Sequence, residues 1–266
     1  MQSPVAPGRQ LADRVLAHLL DRLDRTPASD EPFAHVYLED VLPWDVYHQA
    51  LGCLPAPELY DQAADRHHNY GAGAFTRSMF PLTPANLARL TSAQRDLFVA
   101  VAAALTAPEL KEAVYAKLAR GLAFRFGVAA ADVRQLPGHA RPILYRETDG
   151  FEIPPHPDTR KKVVTMHLYW PADRSQLELG TALYRRRLLA LPVGPWQRRF
   201  VKVKQFAFQP NSGYAFVVTN TLTRRSWHGR ERLPDGAGVR NTLMNTFYER
   251  PREGFSGYLD EPARAA

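Results

Sequence analysis

Residues 142–169 read PILYRETDGFEIPPHPDTRKKVVTMHLY. Two β-rich runs, Pro142–Arg146 and Lys162–Tyr169, flank a turn-rich centre that contains His156-Pro157-Asp158. Residues two apart on an extended chain project to the same side. An imidazole nitrogen from His156 and a carboxylate oxygen from Asp158 can therefore reach one metal ion. The same stretch begins a longer pattern. Short β-rich runs follow at Ala182–Tyr184, Phe200–Phe208, Gly213–Thr219 and Asn241–Tyr248, separated by turn residues. Such spacing predicts a sandwich or barrel of antiparallel strands.

Upstream the periodicity is helical. Leu11, Val15, Leu16, Leu19, Leu20 and Leu23 form one apolar stripe among Asp and Arg residues. A short alternating strand is expected at Pro32–Leu38, and a helix from Trp44. Asp61–Pro84 is rich in His, Asn, Gly and Tyr and predicts a loop, with His67-His68 in a segment able to act as a lid. Helical spacing resumes from about Pro84 to Phe126 through Leu97, Val101, Leu105, Val114 and Leu118. Helices first and strands second argue for an α+β chain with a mainly β core and helices packed outside it. The expected organisation is one domain over residues 1–266. Residues 1–136 form a mainly helical support region and residues 137–250 the catalytic core, with a polar surface tail after Arg250.

Composition narrows the chemistry. The chain has 266 residues, 45% hydrophobic and 23% charged, enough for a sizeable core. No run of about 18 apolar residues occurs, so no membrane-spanning helix is expected. Charges interrupt the first apolar stretch, which argues against a secretory leader and for a cytoplasmic protein. Cys53 is the single cysteine. That excludes an internal disulfide framework and any multi-cysteine zinc or iron–sulfur site, and leaves His and carboxylates to hold a metal. The net charge is +7, with basic clusters at Arg185–Arg187, Arg198–Arg199 and Arg224–Arg225. Most of these read as solvated surface. A nucleic-acid partner is disfavoured, because aromatics are not interleaved with the basic residues as a single-strand platform requires.

A third ligand is available in Ser226-Trp227-His228-Gly229. Two imidazoles and one carboxylate leave coordination positions open, an arrangement that suits iron(II). Arg240 opens another β-run, expected beside the strand that leads to His228. An inward guanidinium there can grip a dicarboxylate bidentately. Tyr169 and Tyr145 can add hydroxyls to the same pocket, Thr242 can touch a co-substrate, and Arg225 and Trp227 are candidates for substrate contact. His167 alternates with Met166 and Leu168 and reads as structural. Taken singly, each residue also has a plain alternative: a loop His before Pro, a turn-initiating Asp, a core histidine, a strand tyrosine. The ordered set carries the argument.

That set resembles the prolyl-4-hydroxylase-like branch of the 2-oxoglutarate/Fe(II) dioxygenases. The family's pattern is a strand Tyr, then H-x-D, a strand ending in Tyr, a distal His and an Arg some ten residues later. Here these are Tyr145, His156 with Asp158, Tyr169, His228 and Arg240, and Gly180–Tyr184 resembles the family's small-residue strand. The resemblance runs from Pro142 to about Arg250, with an echo at Phe33–Pro43. It implies a double-stranded β-helix (jelly roll) with the N-terminal helices against the major sheet. It implies Fe(II) on His156, Asp158 and His228, with 2-oxoglutarate held by Arg240, Tyr169, Tyr145 and Thr242. Dioxygen is the oxidant, and ascorbate a candidate reductant. Asp158 at the carboxylate position favours hydroxylation over halogenation. The expected substrate is a small molecule, with an anionic one in view. A peptidyl hydroxylase and a non-catalytic jelly-roll metal-binding protein remain the alternatives. The basic stretch 184–204 departs from the family and leaves the substrate open.

Overall fold

Alternation along the strands sorts the side chains into two populations. In β6 (Lys162–Tyr169), Val164, Met166 and Leu168 point to one face and Thr165, His167 and Tyr169 to the other. The first set joins a large apolar cluster with the helices, and the second faces another sheet. A computed structural model describes residues 7–62, 76–187 and 195–254. His67-His68, most of the expected lid and part of the 184–204 insertion lie outside the described residues.

In chain order the remaining strands are β1 (His35–Glu39), β2 (Asp61–Gln62), β3 (Arg77–Pro81), β4 (His139–Glu147), β5 (Ile153–His156), β7 (Ala182–Arg186), β8 (Phe200–Gln205), β9 (Ser212–Val217), β10 (His228–Arg230) and β11 (Arg240–Tyr248). They build a seven-stranded sheet in the order β1-β9-β6-β11-β4-β3-β2 and a four-stranded sheet in the order β5-β10-β7-β8. The pairings are antiparallel throughout. The larger sheet mixes the C-terminal strands with three from the N-terminal part. Helical support and β core are therefore interleaved in space, although they are separable along much of the sequence.

The helices are α1 (Pro7–Arg25), α2 (Trp44–Gly52), α3 (Pro84–Leu87), α4 (Ser92–Thr106), α5 (Pro108–Lys117), α6 (Ala119–Phe126) and α7 (Trp196–Arg199). Local signals set their ends. Thr91 and Gln94 form a reciprocal capping box at the start of α4. Pro108 occupies the first turn of α5, where its missing N–H is harmless. Gly127 ends α6 in the left-handed region at φ 67°, where a side chain would be strained. Val15, Leu19 and Leu23 of α1, and Leu97, Val101 and Leu105 of α4, are buried in one apolar cluster shared with the outer face of the larger sheet.

The structure revises two expectations. The stretch Asp61–Pro84 is not wholly loop: its ends form β2 and β3, which extend the larger sheet beyond β4. The strand that carries Arg240 is not a hydrogen-bonded neighbour of β10. It pairs with β4 and β6 in the larger sheet, while β10 pairs with β5 and β7 in the smaller one. Arg240 thus faces His228 from the opposite layer.

Candidate metal centre and anion pocket

The space between the sheets is unusually polar for a protein interior. Buried polar or charged residues there include Arg77, Glu147, Asp158, Thr165, His228, Arg230, Arg240 and Thr242. Burying such groups is costly unless they are paired or serve a ligand.

β5 ends at His156, and β10 begins at His228; the two residues are directly paired in register. Their rings stand 4.5 Å apart, centroid to centroid. Asp158 lies two residues past His156. One ligand atom from each of the three comes within 4.8 Å of the others, a group that could hold a metal ion. His156 Nδ1 lies 3.0 Å from the carbonyl oxygen of Pro154, and His228 Nδ1 lies 2.9 Å from that of Ser226. With Nδ1 donating to a carbonyl, Nε2 carries the lone pair, the form in which imidazole ligates metals. His228 Nε2 stands 3.7 Å from Asp158 Oδ2. The donor chemistry, two nitrogens and a carboxylate oxygen, fits a divalent first-row metal.

Asp158 is itself held. Lys162 Nζ lies 2.7 Å from its Oδ1, and the Thr165 hydroxyl donates to its Oδ2 at 2.8 Å. Burial alone would raise the Asp158 carboxyl. The Lys162 ammonium, then the His228 and His156 rings, outweigh it and hold the group well below the usual carboxylate range. The carboxylate is therefore ionised at neutral pH.

A cavity of about 350 Å³ opens from this cluster. Its far wall is cationic. Arg240, buried, donates through one terminal nitrogen to Glu147 and through Nε to the Leu179 carbonyl at 2.8 Å. Arg77 Nε lies 3.1 Å from the other oxygen of Glu147. The register explains this row: Arg77, Glu147 and Arg240 are consecutive cross-strand partners on β3, β4 and β11. The Arg77 guanidinium also stacks over the Tyr145 ring at 3.9 Å from its centroid.

The structure brings together His156, Asp158, His228, Arg240 and Tyr145 on this one cavity. Thr242 and Tyr169 do not line it, although their strands β11 and β6 do. They are cross-strand partners, and Thr242 also pairs with Tyr145. The Tyr169 oxygen accepts the Thr181 backbone N–H at 2.9 Å and so fixes a wall residue. Arg225 and Trp227 are not brought to this cavity. They line a different one with Tyr184, Arg185 and Arg224, and Trp227 packs edge-on against Phe200. The reason is parity: Trp227 is one residue from His228, and neighbours on an extended chain face opposite ways.

Sequence reasoning missed Glu147, Arg77, Arg230 and Lys162. A signal was present for Arg230, which shares the parity of His228. His167, expected to be structural, lines the cavity and stacks on Tyr214 at 5.2 Å. Burial, followed by the charges of Arg240 and Arg77, pushes it well below the ordinary imidazole range, so it is neutral.

No family model matches the chain, and no curated protein matches it. Solved structures do. A prolyl-4-hydroxylase of Pseudomonas putida is 16% identical, with a TM-score of 0.48, covering 89% of this chain and 100% of that one. A Trichoplax adhaerens prolyl hydroxylase, solved with a peptide fragment of the hypoxia-inducible-factor oxygen degradation domain, is 12% identical, with a TM-score of 0.49 over 93% of this chain and 94% of that one. The Arabidopsis thaliana dioxygenase for auxin oxidation 1, solved with 2-oxoglutarate, is 11% identical, with a TM-score of 0.46 over 92% and 90%.

Proposed function

We propose that this protein is a non-haem Fe(II) dioxygenase that uses 2-oxoglutarate to hydroxylate an unactivated C–H bond of a small molecule. The observation that carries the reading is the grouping of His156, Asp158 and His228 within 4.8 Å on a cavity whose wall also bears Arg240. Two imidazoles and one carboxylate leave room on an iron ion for exchangeable ligands. Bound iron and 2-oxoglutarate would supply dioxygen activation and delivery of an oxygen atom to carbon. The protein's own residues do the rest. His156 and His228 offer Nε2, and Asp158 offers an ionised carboxylate oriented by Lys162 and Thr165. Arg240, with Tyr145 beside it on the wall, receives the far carboxylate of the co-substrate. Phe151, Ile153, Tyr214 and Met244 narrow the space and exclude water.

The strand order supports a double-stranded β-helix. Eight successive strands, β4 to β11, switch sheet at each step except between β7 and β8, and build the orders β4-β11-β6-β9 and β5-β10-β7-β8. A cavity of about 350 Å³ lies within the range of small-molecule sites. Its arginines and Lys162 favour an anionic substrate.

The test is anaerobic titration with Fe(II), with and without 2-oxoglutarate, following the weak visible charge-transfer band of the chelate. Wild type should form the band, and His156→Ala and Asp158→Ala should not, while keeping the wild-type circular dichroism spectrum. A well-folded wild-type protein that forms no band would sink the reading.

A further inference from the structure

Arg230 lines the cavity without an assigned task. It stands two positions past His228 on β10, so both side chains project into the space between the sheets. It is 5% exposed. One terminal nitrogen donates to the Gly180 carbonyl at 3.3 Å, and among the described residues its Nε has no hydrogen-bond partner. Among the described residues no carboxylate forms an ion pair with it.

Arg240 reaches the same corner from the opposite sheet. Its Nε donates to the carbonyl of Leu179, the residue before Gly180. Two guanidiniums from two sheets therefore meet at Leu179-Gly180. The nearby Glu147 is engaged by Arg240 and Arg77, which leaves Arg230 a buried cation with no ion-pair partner among the described residues; Glu147 and Glu231 act on it only at longer range. A buried charge in that condition is destabilising until an anion joins it. A planar fork with unused donors matches a carboxylate in both charge and shape.

We propose that Arg230 and Arg240 together form the seat for the distal carboxylate of a 2-oxo dicarboxylic acid, and that Arg230 makes the cavity select dicarboxylic over monocarboxylic 2-oxo acids. This rests on the function proposed above. Arg240 brings orientation, already fixed by Glu147 and Leu179. Arg230 brings the unspent charge.

The probe is the Zn(II)-loaded protein, which binds without turning over. Calorimetry with 2-oxoglutarate and with 2-oxobutyrate, which lacks the distal carboxylate, reads the seat directly. Wild type should prefer 2-oxoglutarate by at least about a hundredfold, two well-made charge-assisted contacts. Arg230→Gln should lose at least tenfold of that preference and leave 2-oxobutyrate within about twofold of wild type. Arg230→Lys, which keeps the charge without the fork, should fall between them. Melting of the protein free of acid separates this from a structural role. Arg230→Gln should melt at or above the wild-type temperature, because an uncompensated charge has been removed. A lower melting temperature with unchanged 2-oxoglutarate affinity would overturn the proposal and leave the proposed function standing. So would an equal loss for both acids. If wild type holds zinc but binds neither acid, the proposed function fails, and the seat with it.

Discussion

The two oxygens of Asp158 have different neighbours. Oδ1 faces Lys162, while Oδ2 takes the Thr165 hydroxyl and stands toward His228. Thr165→Val removes that hydroxyl at nearly constant volume and leaves a buried carboxylate oxygen short of a donor. A hydrogen bond to a charged group contributes about 1.5–3 kcal/mol, so the unfolding free energy of the metal-free protein should fall by that amount in denaturant titration. Zinc affinity should weaken by roughly tenfold or more, as for other groups that orient a ligand. The sign of the pH dependence follows from the depressed Asp158 carboxyl. Its contribution to stability is present above the ordinary carboxylate range and is lost as the pH falls toward its folded value. The three candidate ligands were legible in the sequence because H-x-D and a later His can be read from residue order alone. Glu147, Arg77 and Arg230 were not, because what they do depends on which strands become neighbours. The alternation that places Arg230 beside His228 was visible. The sheet that brings Arg240 to meet it was not.

Strand β10 is three residues long and sits between β5 and β7. Its position depends on Gly229. A Cβ there would lie 2.6 Å from the carbonyl oxygen of Ile153 and 3.1 Å from the nitrogen of Pro155, both backbone atoms of β5. Gly229→Ala should therefore push β10 away from β5 and separate His228 from His156. Overpacking of this kind costs about 1–3 kcal/mol, and a larger loss in zinc affinity than in thermal stability would locate the damage at the site. No expected strand matched β5 or β10. One has two prolines in four residues and the other is only three residues long, so neither shows a countable alternation. The longer strands β4, β6 and β11 were legible because alternating apolar residues pack under the helices. β3 was hidden by the composition of the stretch around it.

The main apolar cluster and the chemistry occupy opposite faces of the larger sheet. The helices cover one face with Val15, Leu19, Leu23, Leu97, Val101 and Leu105, and the other carries the arginines and the cavity. Leu19→Ala, at a fully buried site on α1, should lower stability by about 2–5 kcal/mol. Zinc affinity measured well below the melting temperature should stay within about twofold, since nothing between α1 and the inner face needs to move. An equal loss of both would mean that the helical layer tensions the site. The two sheets also divide the pocket between them. His156, His228 and Arg230 come from the smaller sheet, and Arg240, Glu147 and Arg77 from the larger. A dicarboxylate lying from metal to arginine would staple one sheet to the other. Any tightening of the metal that it causes must be returned in equal measure by the metal, so each becomes the other's gatekeeper, and the order in which they arrive changes the route but not the final hold.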